Sequence, residues 1–129
     1  MLDRIDHVVI NCRDVEAMAA WYERVLGLQR EVFGPDRRIA LSLGTQKLNL
    51  RPTGAADWPT GAVDEPGSLD ICFITERGLD AAAQRLRECG VEITAGPVPK
   101  TGALGPMMSI YCRDPDGNLI EIASYEKRC

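Results

Sequence analysis

The stretch that decides the fold is SIYCRDPDGNLIEI, residues 109–122, near the end of the chain. Its centre, DPDGN, is typical of a tight turn, because Pro115 presets φ and Gly117 tolerates a positive φ. The apolar residues on either side therefore predict two strands joined by this turn. The second strand carries a single carboxylate, Glu121, where a charge is costly unless a partner or a metal ion balances it.

The only histidine of the chain lies at the opposite end, in IDHVVI, residues 5–10. This apolar run predicts a first strand over 5–11, with Ile5, His7 and Val9 on one face. A lone histidine in a strand is more often hydrogen-bonded than a metal ligand. A ligand role for His7 therefore depends on the fold bringing it together with Glu121.

Composition narrows the class of protein. The length of 129 residues favours one domain. The net charge of -4 argues against a nucleic-acid-binding protein. No apolar run is long enough to span a membrane, and the N-terminus lacks the pattern of a secretory signal. The five cysteines are odd in number and show no Cys-x-x-Cys spacing, so we expect free thiols and a cytoplasmic protein.

The chain repeats one order of elements twice. The spacing from His7 to Gly27 equals that from Asp70 to Gly90, and apolar residues at helical spacing precede both glycines. Each pattern predicts a strand followed by a helix that ends at a left-handed glycine. Asp14 is the predicted N-cap of the first helix.

Three further strands follow each helix. The predicted strands are 5–11, 29–33, 38–43 and 47–51 in the first half, and 69–74, 92–95, 107–113 and 119–123 in the second. The architecture is thus βαβββ twice, with module one at 1–51, a linker at 52–67 and module two at 68–125. The Gly/Pro-rich segment 96–106 is predicted to be a loop covering a site.

Superposing the two halves pairs four polar residues. His7 maps to Asp70 in the first strand of each half, and Asn49 maps to Glu121 in the last. All four lie in apolar strands, which is not expected of solvated surface positions. A slip of one residue would turn Asn49 or Asp70 to the opposite face of its sheet.

Three motifs resemble the vicinal oxygen chelate superfamily, also called the glyoxalase/bleomycin-resistance/dioxygenase family. They are DHVVI at 6–10, WYERVLGL at 21–28 and DPDGNLIE at 114–121, in that order. The segment GPVPKTGALGP at 96–106 is similar to a small lactoylglutathione-lyase-like branch. The resemblance covers nearly the whole chain.

The resemblance implies a fold, a cofactor and an assembly. The fold is α+β, with two βαβββ modules forming a half-open, cup-shaped mixed sheet in one domain over 1–129. One divalent metal ion is expected in the cup, on His7, Asp70 and Glu121, and the protein is expected to be a homodimer. Asn49 stands where glyoxalase I enzymes carry glutamate, and Asp70 stands where many members carry histidine or glutamine.

Such ligands predict a hard, oxygen-rich site suited to Mn, Fe, Ni, Zn or Mg. The ion would act as a Lewis acid on a small oxygenated metabolite, and Glu121 is the predicted catalytic group because it can also move a proton. The expected activity is that of a lyase, similar to lactoylglutathione lyase, or of a dioxygenase.

Further residues are weaker candidates for the site. Arg51 shares a face with Asn49 and is predicted to bind an anionic substrate group, although a surface role is as common. Lys100 and Thr101 are predicted substrate contacts from the Gly/Pro segment, against the alternative of a solvated loop. Cys72 shares a face with Asp70, against the commoner fate of a small buried thiol.

A second class of function fits the same sequence. Bleomycin-resistance-like members of the superfamily sequester a ligand without a catalytic metal. The absence of a second histidine favours this alternative, and His7 and Glu121 oppose it.

Overall fold

The computed structural model describes residues 1–125, so Cys129 lies outside the described residues. The chain divides into two units. Unit 1 comprises Met1–Leu69 with Pro115–Gly117, and unit 2 comprises Asp70–Asp114 with the described residues from Asn118 onward. The predicted linker, 52–67, belongs to unit 1. The single domain predicted over 1–129 stays a prediction.

Unit 1 has the predicted βαβββ order. Its elements are β1 His7–Cys12, α1 Val15–Trp21, a π-helical segment Tyr22–Leu26, β2 Gln29–Phe33, β3 Arg38–Leu43 and β4 Gln46–Pro52. The sheet order is β1-β4-β3-β2, with β1 parallel to β4 and the other pairs antiparallel. Residues 5 and 6, which the sequence placed in the first strand, precede it.

The helix of unit 1 starts and stops where its caps predict. The Asp14 carboxylate accepts a hydrogen bond from the Ala17 backbone N–H at 3.1 Å, and Gly27 closes the π-helical segment at φ 70°. The helix packs on β3 and β4. The core of the unit is apolar and includes Ile10, Met18, Tyr22, Val25, Leu41 and Leu50.

Unit 2 repeats this order. Its elements are β5 Asp70–Ile74, α2 Leu79–Glu88, β6 Ala95–Gly102, β7 Gly105–Arg113 and β8 Leu119–Ser124. The sheet order is β5-β8-β7-β6, with β5 parallel to β8. Helix α2 packs on β7 and β8. The core of unit 2 includes Leu86, Ile110, Cys112 and Ile120. The predicted α+β class with two βαβββ modules is therefore confirmed.

The predicted loop at 96–106 is wrong. Most of this segment forms β6, which pairs antiparallel with β7 as far as a tight turn between Gly102 and Gly105. The predicted strand at 92–95 is wrong for the same reason, since β6 begins only at Ala95. Prolines are tolerated here because β6 is an edge strand. A shift in the register between Ala95 and Val98 leaves Gly96 and Pro97 unpaired with β7.

The turn between β7 and β8 is built by side chains. Asn118 donates from its backbone N–H to Asp114 Oδ1 at 3.0 Å and from its amide to Asp114 Oδ2 at 2.7 Å. Gly117 has a φ of 89°, as the sequence predicts. Within unit 1, the Arg13 backbone N–H donates to the Asp116 carboxylate at 3.1 Å.

The strand registers make the two halves equivalent residue by residue. In unit 1, His7 begins β1 and Val9, two residues on, pairs with Asn49. In unit 2, Asp70 begins β5 and Cys72, two residues on, pairs with Glu121. His7 therefore corresponds to Asp70 and Asn49 to Glu121, without the one-residue slip.

Among residues 1–125, no helix is long and apolar enough to cross a bilayer.

Candidate functional site

His7 is oriented by its neighbour in sequence. Its Nδ1 lies 2.9 Å from the Asp6 carboxylate, and this hydrogen bond is the main cause that lowers the pKa of Asp6. In the tautomer that donates from Nδ1, the neutral ring keeps its lone pair on Nε2. A carboxylate on one ring nitrogen is the usual support of a histidine that binds metal through the other.

Asn49 lies on the same face of the unit 1 sheet as His7. Its side chain is buried, with 6% of the residue exposed, and its Oδ1 has no hydrogen-bond partner anywhere in residues 1–125. Its cross-strand neighbours, Val9 and Ala40, offer no side-chain donor. A buried oxygen without a donor is costly, so the Asn49 oxygen is available to accept a hydrogen bond or to bind a cation.

Arg51 is buried and already engaged within unit 1. Its guanidinium donates to the carbonyls of Trp58 and Ala55, at 2.8 and 2.9 Å. It also donates to Asn11 Oδ1 at 2.7 Å and to Asp64 Oδ2 at 3.2 Å. Three of its five N–H groups thus hold the segment after β4, and a fourth donates to β1. The predicted substrate role of Arg51 stays a prediction.

Glu121 is half-buried on β8 of unit 2. Its Oε2 accepts a hydrogen bond of 2.6 Å from the Ser109 hydroxyl, and Ser109 is fully buried. Over the described part of the chain, its carboxylate forms no ion pair with Lys, Arg or His. A half-buried carboxylate without a cation is the feature that a divalent ion would satisfy.

Two more donors flank this carboxylate. Cys72 and Tyr111 are its cross-strand partners on β5 and β7. Burial, followed by the charge of Glu121 and a hydrogen bond to it, raises the pKa of the Cys72 thiol to about 11. Burial, then Glu121, also raises the pKa of Tyr111. Both groups are therefore protonated at neutral pH.

The remaining predicted residues of unit 2 lie at the edges of its sheet. Asp70 is exposed at the start of β5. Lys100 and Thr101 are exposed on β6, and the Lys100 Nζ lies 5.9 Å from the centre of the Tyr111 ring. Lys100 is thus close to Tyr111, which is the cross-strand partner of Glu121.

The sequence also contains a signal that places Tyr111 beside Glu121. Once DPDGN is a turn, counting outward pairs Arg113 with Leu119, and Tyr111 then falls opposite Glu121. Ser109 is a diagonal neighbour, whose bond depends on the direction in which the Glu121 side chain leans. That direction is visible only in the structure.

Neither unit, within residues 1–125, gathers three or more His, Cys, Asp or Glu side chains into a group able to hold a metal ion. The predicted set takes His7 from unit 1 and Asp70 and Glu121 from unit 2, and it stays a prediction. Each unit by itself presents donors that a hard divalent ion accepts: the His7 imidazole and the unsatisfied Asn49 oxygen in unit 1, and the Glu121 carboxylate in unit 2.

The structure thus consists of two repeated βαβββ modules that carry polar residues at matching strand positions. The family model of the Glyoxalase/Bleomycin resistance protein/Dioxygenase superfamily matches residues 4–122. The chain belongs to this superfamily, and the predicted resemblance is confirmed.

Relatives and solved structures agree with this assignment. The chain is 43% identical over 125 residues to virulence protein STM3117 of Salmonella typhimurium, covering 97% of this chain and 86% of that protein. It is 33% identical over 134 residues to an ethylmalonyl-CoA/methylmalonyl-CoA epimerase of Cereibacter sphaeroides, covering 95% and 98%. The structure of integron cassette protein VCH_CASS1 of V. cholerae has a TM-score of 0.94 at 42% identity, covering 98% of both chains.

Proposed function

We propose that the protein is a divalent-metal-dependent enzyme that acts on a small oxygenated metabolite. The observation that carries the proposal is the Glu121 carboxylate, half-buried in an apolar strand and without a cationic partner among the described residues. Superfamily membership supports the same conclusion. The proposal also includes a homodimer and a cytoplasmic location, the latter supported by Cys72 and Cys112, which form no disulfide among the described residues.

His7, Asp70 and Glu121 are the proposed ligands, and the Asn49 amide oxygen is a candidate fourth donor atom. The ion, which is Mn, Fe, Ni, Zn or Mg, would supply Lewis-acid polarisation of a substrate oxygen. The support within the chain is local. Asp6 fixes the His7 ring, Ser109 holds one oxygen of Glu121, and the Asn49 oxygen lacks any other partner.

Glu121 is the proposed proton carrier. Ser109 holds Oε2 and so orients the carboxylate that would carry the proton or bind the ion. The protonated hydroxyl of Tyr111 and the ammonium of Lys100 provide donors near an anionic substrate, and Thr101 extends this edge. Proton transfer beside a carbonyl fits these groups, and the epimerase relative supports it. A lyase or a dioxygenase activity stays an expectation.

A metal-independent ligand-sequestering protein is the alternative, and Asn49 favours it. The amide at this position is neutral, and its unsatisfied oxygen accepts a hydrogen bond from a ligand as readily as it binds a cation. Under this alternative a ligand would bind equally well after complete chelation of metal ions, and no product would form.

Elemental analysis of tag-free protein tests the proposal directly. We expect near-stoichiometric metal in the wild type and its loss in His7→Ala and Glu121→Ala. Glu76→Ala, which removes an exposed carboxylate of unit 2, is the matched control and should keep the metal. Wild-type protein that takes up none of the five ions from excess would overturn the metal-dependent enzyme in favour of the alternative.

A further inference from the structure

We propose that Ser109 is a positioning residue for Glu121. Its hydroxyl holds Oε2 of the carboxylate and thereby orients the proposed ligand of the metal ion. The inference rests on the proposed function and adds a residue of β7 to the support of the ligand.

The geometry makes Ser109 the strongest local partner of Glu121. Tyr111 is directly opposite Glu121 across β7 and β8, whereas Ser109 pairs with Ala123, so the Glu121 side chain leans along the strand to reach it. The donor–acceptor distance is 2.6 Å, in the range of a hydroxyl bonded to an ionised carboxylate. This bond selects one of the several rotamers open to a glutamate.

Burial distinguishes this bond from a surface contact. Ser109 is 0% exposed, so water does not compete for its hydroxyl. A carboxylate only accepts hydrogen bonds, and the hydroxyl has one proton to give, so the pair fixes both side chains. Removal of the hydroxyl would leave Glu121 free to rotate between orientations, of which only some present an oxygen to the ion.

Partners that orient metal ligands have a characteristic effect on affinity. Their removal typically weakens metal binding by about 10–100-fold without removing a ligand. We expect an effect of this size for Ser109→Ala, on binding itself and not only on turnover.

Titration with Mn²⁺ alone, read as free Mn²⁺ by electron paramagnetic resonance, measures this effect. Ser109→Ala should weaken binding by about 10-fold or more. Ser109→Thr keeps the hydroxyl and should recover most of the affinity. Ser42→Ala is the matched control on β3 of unit 1, since its hydroxyl donates only to the Gln29 carbonyl, and it should bind like the wild type.

A double-mutant cycle with Glu121→Gln shows whether Ser109 acts through Glu121. If it does, Ser109→Ala costs much less in the Glu121→Gln background than in the wild type. A folded Ser109→Ala protein within twofold of wild-type affinity would overturn the inference while leaving the proposed function intact. If this variant does not fold, Ser109→Cys, which is close in volume and a weak donor, should show the same loss of affinity, and wild-type affinity in it would overturn the inference. Failure of the wild type to bind Mn²⁺ would overturn both.

Discussion

Asn49 and Glu121 occupy the same position of a repeated fold but have opposite surroundings. Asn49 pairs with Val9 and Ala40, which offer no side-chain donor, and its oxygen is unsatisfied. Glu121 pairs with Cys72 and Tyr111 and is bonded by Ser109. The repeat therefore preserves the backbone register while each unit sets the polar partners separately.

The difference extends to the next position on the same face. Arg51 follows Asn49 by two residues and is used to hold the segment after β4, whereas its counterpart in unit 2, Ala123, has no polar side chain. Unit 1 thus uses its hydrogen bonds to anchor the segment after β4, and within residues 1–125 it leaves Asn49 Oδ1 unsatisfied. Unit 2 uses them to support a charge.

The largest predicted effect comes from Gly96→Ala, which disturbs the backbone beneath Ser109. Gly96 has a φ of 98°, and an added Cβ would overlap the Ser109 carbonyl oxygen. Left-handed strain and overpacking together should lower the free energy of unfolding by about 4 kcal/mol, measured by urea denaturation. Gly44→Ala, with a φ of 54° and no atom near its Cβ, should cost only about 1 kcal/mol. Equal costs for the two variants would contradict the close packing on Ser109.

Asn49→Asp tests the comparison by placing a carboxylate on β4, where the neighbours Val9 and Ala40 offer no side-chain donor. A buried charge without a partner should lower the free energy of unfolding by about 3 kcal/mol in metal-free buffer at neutral pH. Excess Mn²⁺ should recover part of this loss, as a higher Tm than in chelator.

Asn49→Leu is the uncharged control for that variant. It removes the unsatisfied oxygen at similar volume, and we expect a neutral effect or a gain of about 1 kcal/mol in metal-free buffer. A destabilisation as large as that of Asn49→Asp would mean that the amide makes a favourable interaction in the folded protein.

Ser109→Ala should have the next largest effect on stability. Loss of a buried hydrogen bond to an ionised group should cost about 2 kcal/mol in metal-free urea denaturation. Ser42→Ala, which loses a 3.2 Å bond to a carbonyl at a less buried position, should cost less than about 1 kcal/mol. Equal losses would show that the carboxylate adds nothing to the Ser109 bond.

Much of the fold follows from the sequence because turns and periodicity are local. The bounds of β2 and β3, the Asp14 cap and the DPDGN turn were all predicted from neighbouring residues. The register that relates Asn49 to Glu121 follows from the same repeat. Strand β6 was missed because glycine and proline usually end a strand, whereas an edge strand needs only one side of its backbone for pairing.

The support of the candidate site was less predictable, since it depends on contacts between strands. Glu121 was found as a lone charge in an apolar run, but Ser109 required the direction of its side chain. The face of Arg51 follows from strand alternation, whereas its partners after β4 are visible only in the structure. Sequence thus identifies the polar positions, and the structure shows which of them already have partners.

The smallest predicted effect tests the anchoring in unit 1 and depends on pH. The Gly54 backbone N–H, followed by the Arg51 guanidinium, lowers the pKa of Asp64. A carboxyl whose pKa is lowered in the folded protein stabilises it above the unfolded pKa of about 3.9, and this contribution is lost as the pH falls through the folded value.

Wild-type protein should therefore be slightly more stable than Asp64→Asn from pH 5 to 8 by thermal denaturation, and the difference should shrink below about pH 4. Asp3→Asn, at an exposed position before β1, should show no such difference. A stability difference that persists undiminished in acid would mean that Asp64 acts through packing of its side chain and not through its charge. In its described part, unit 2 offers no equivalent anchor, since Ala123 stands at the position of Arg51.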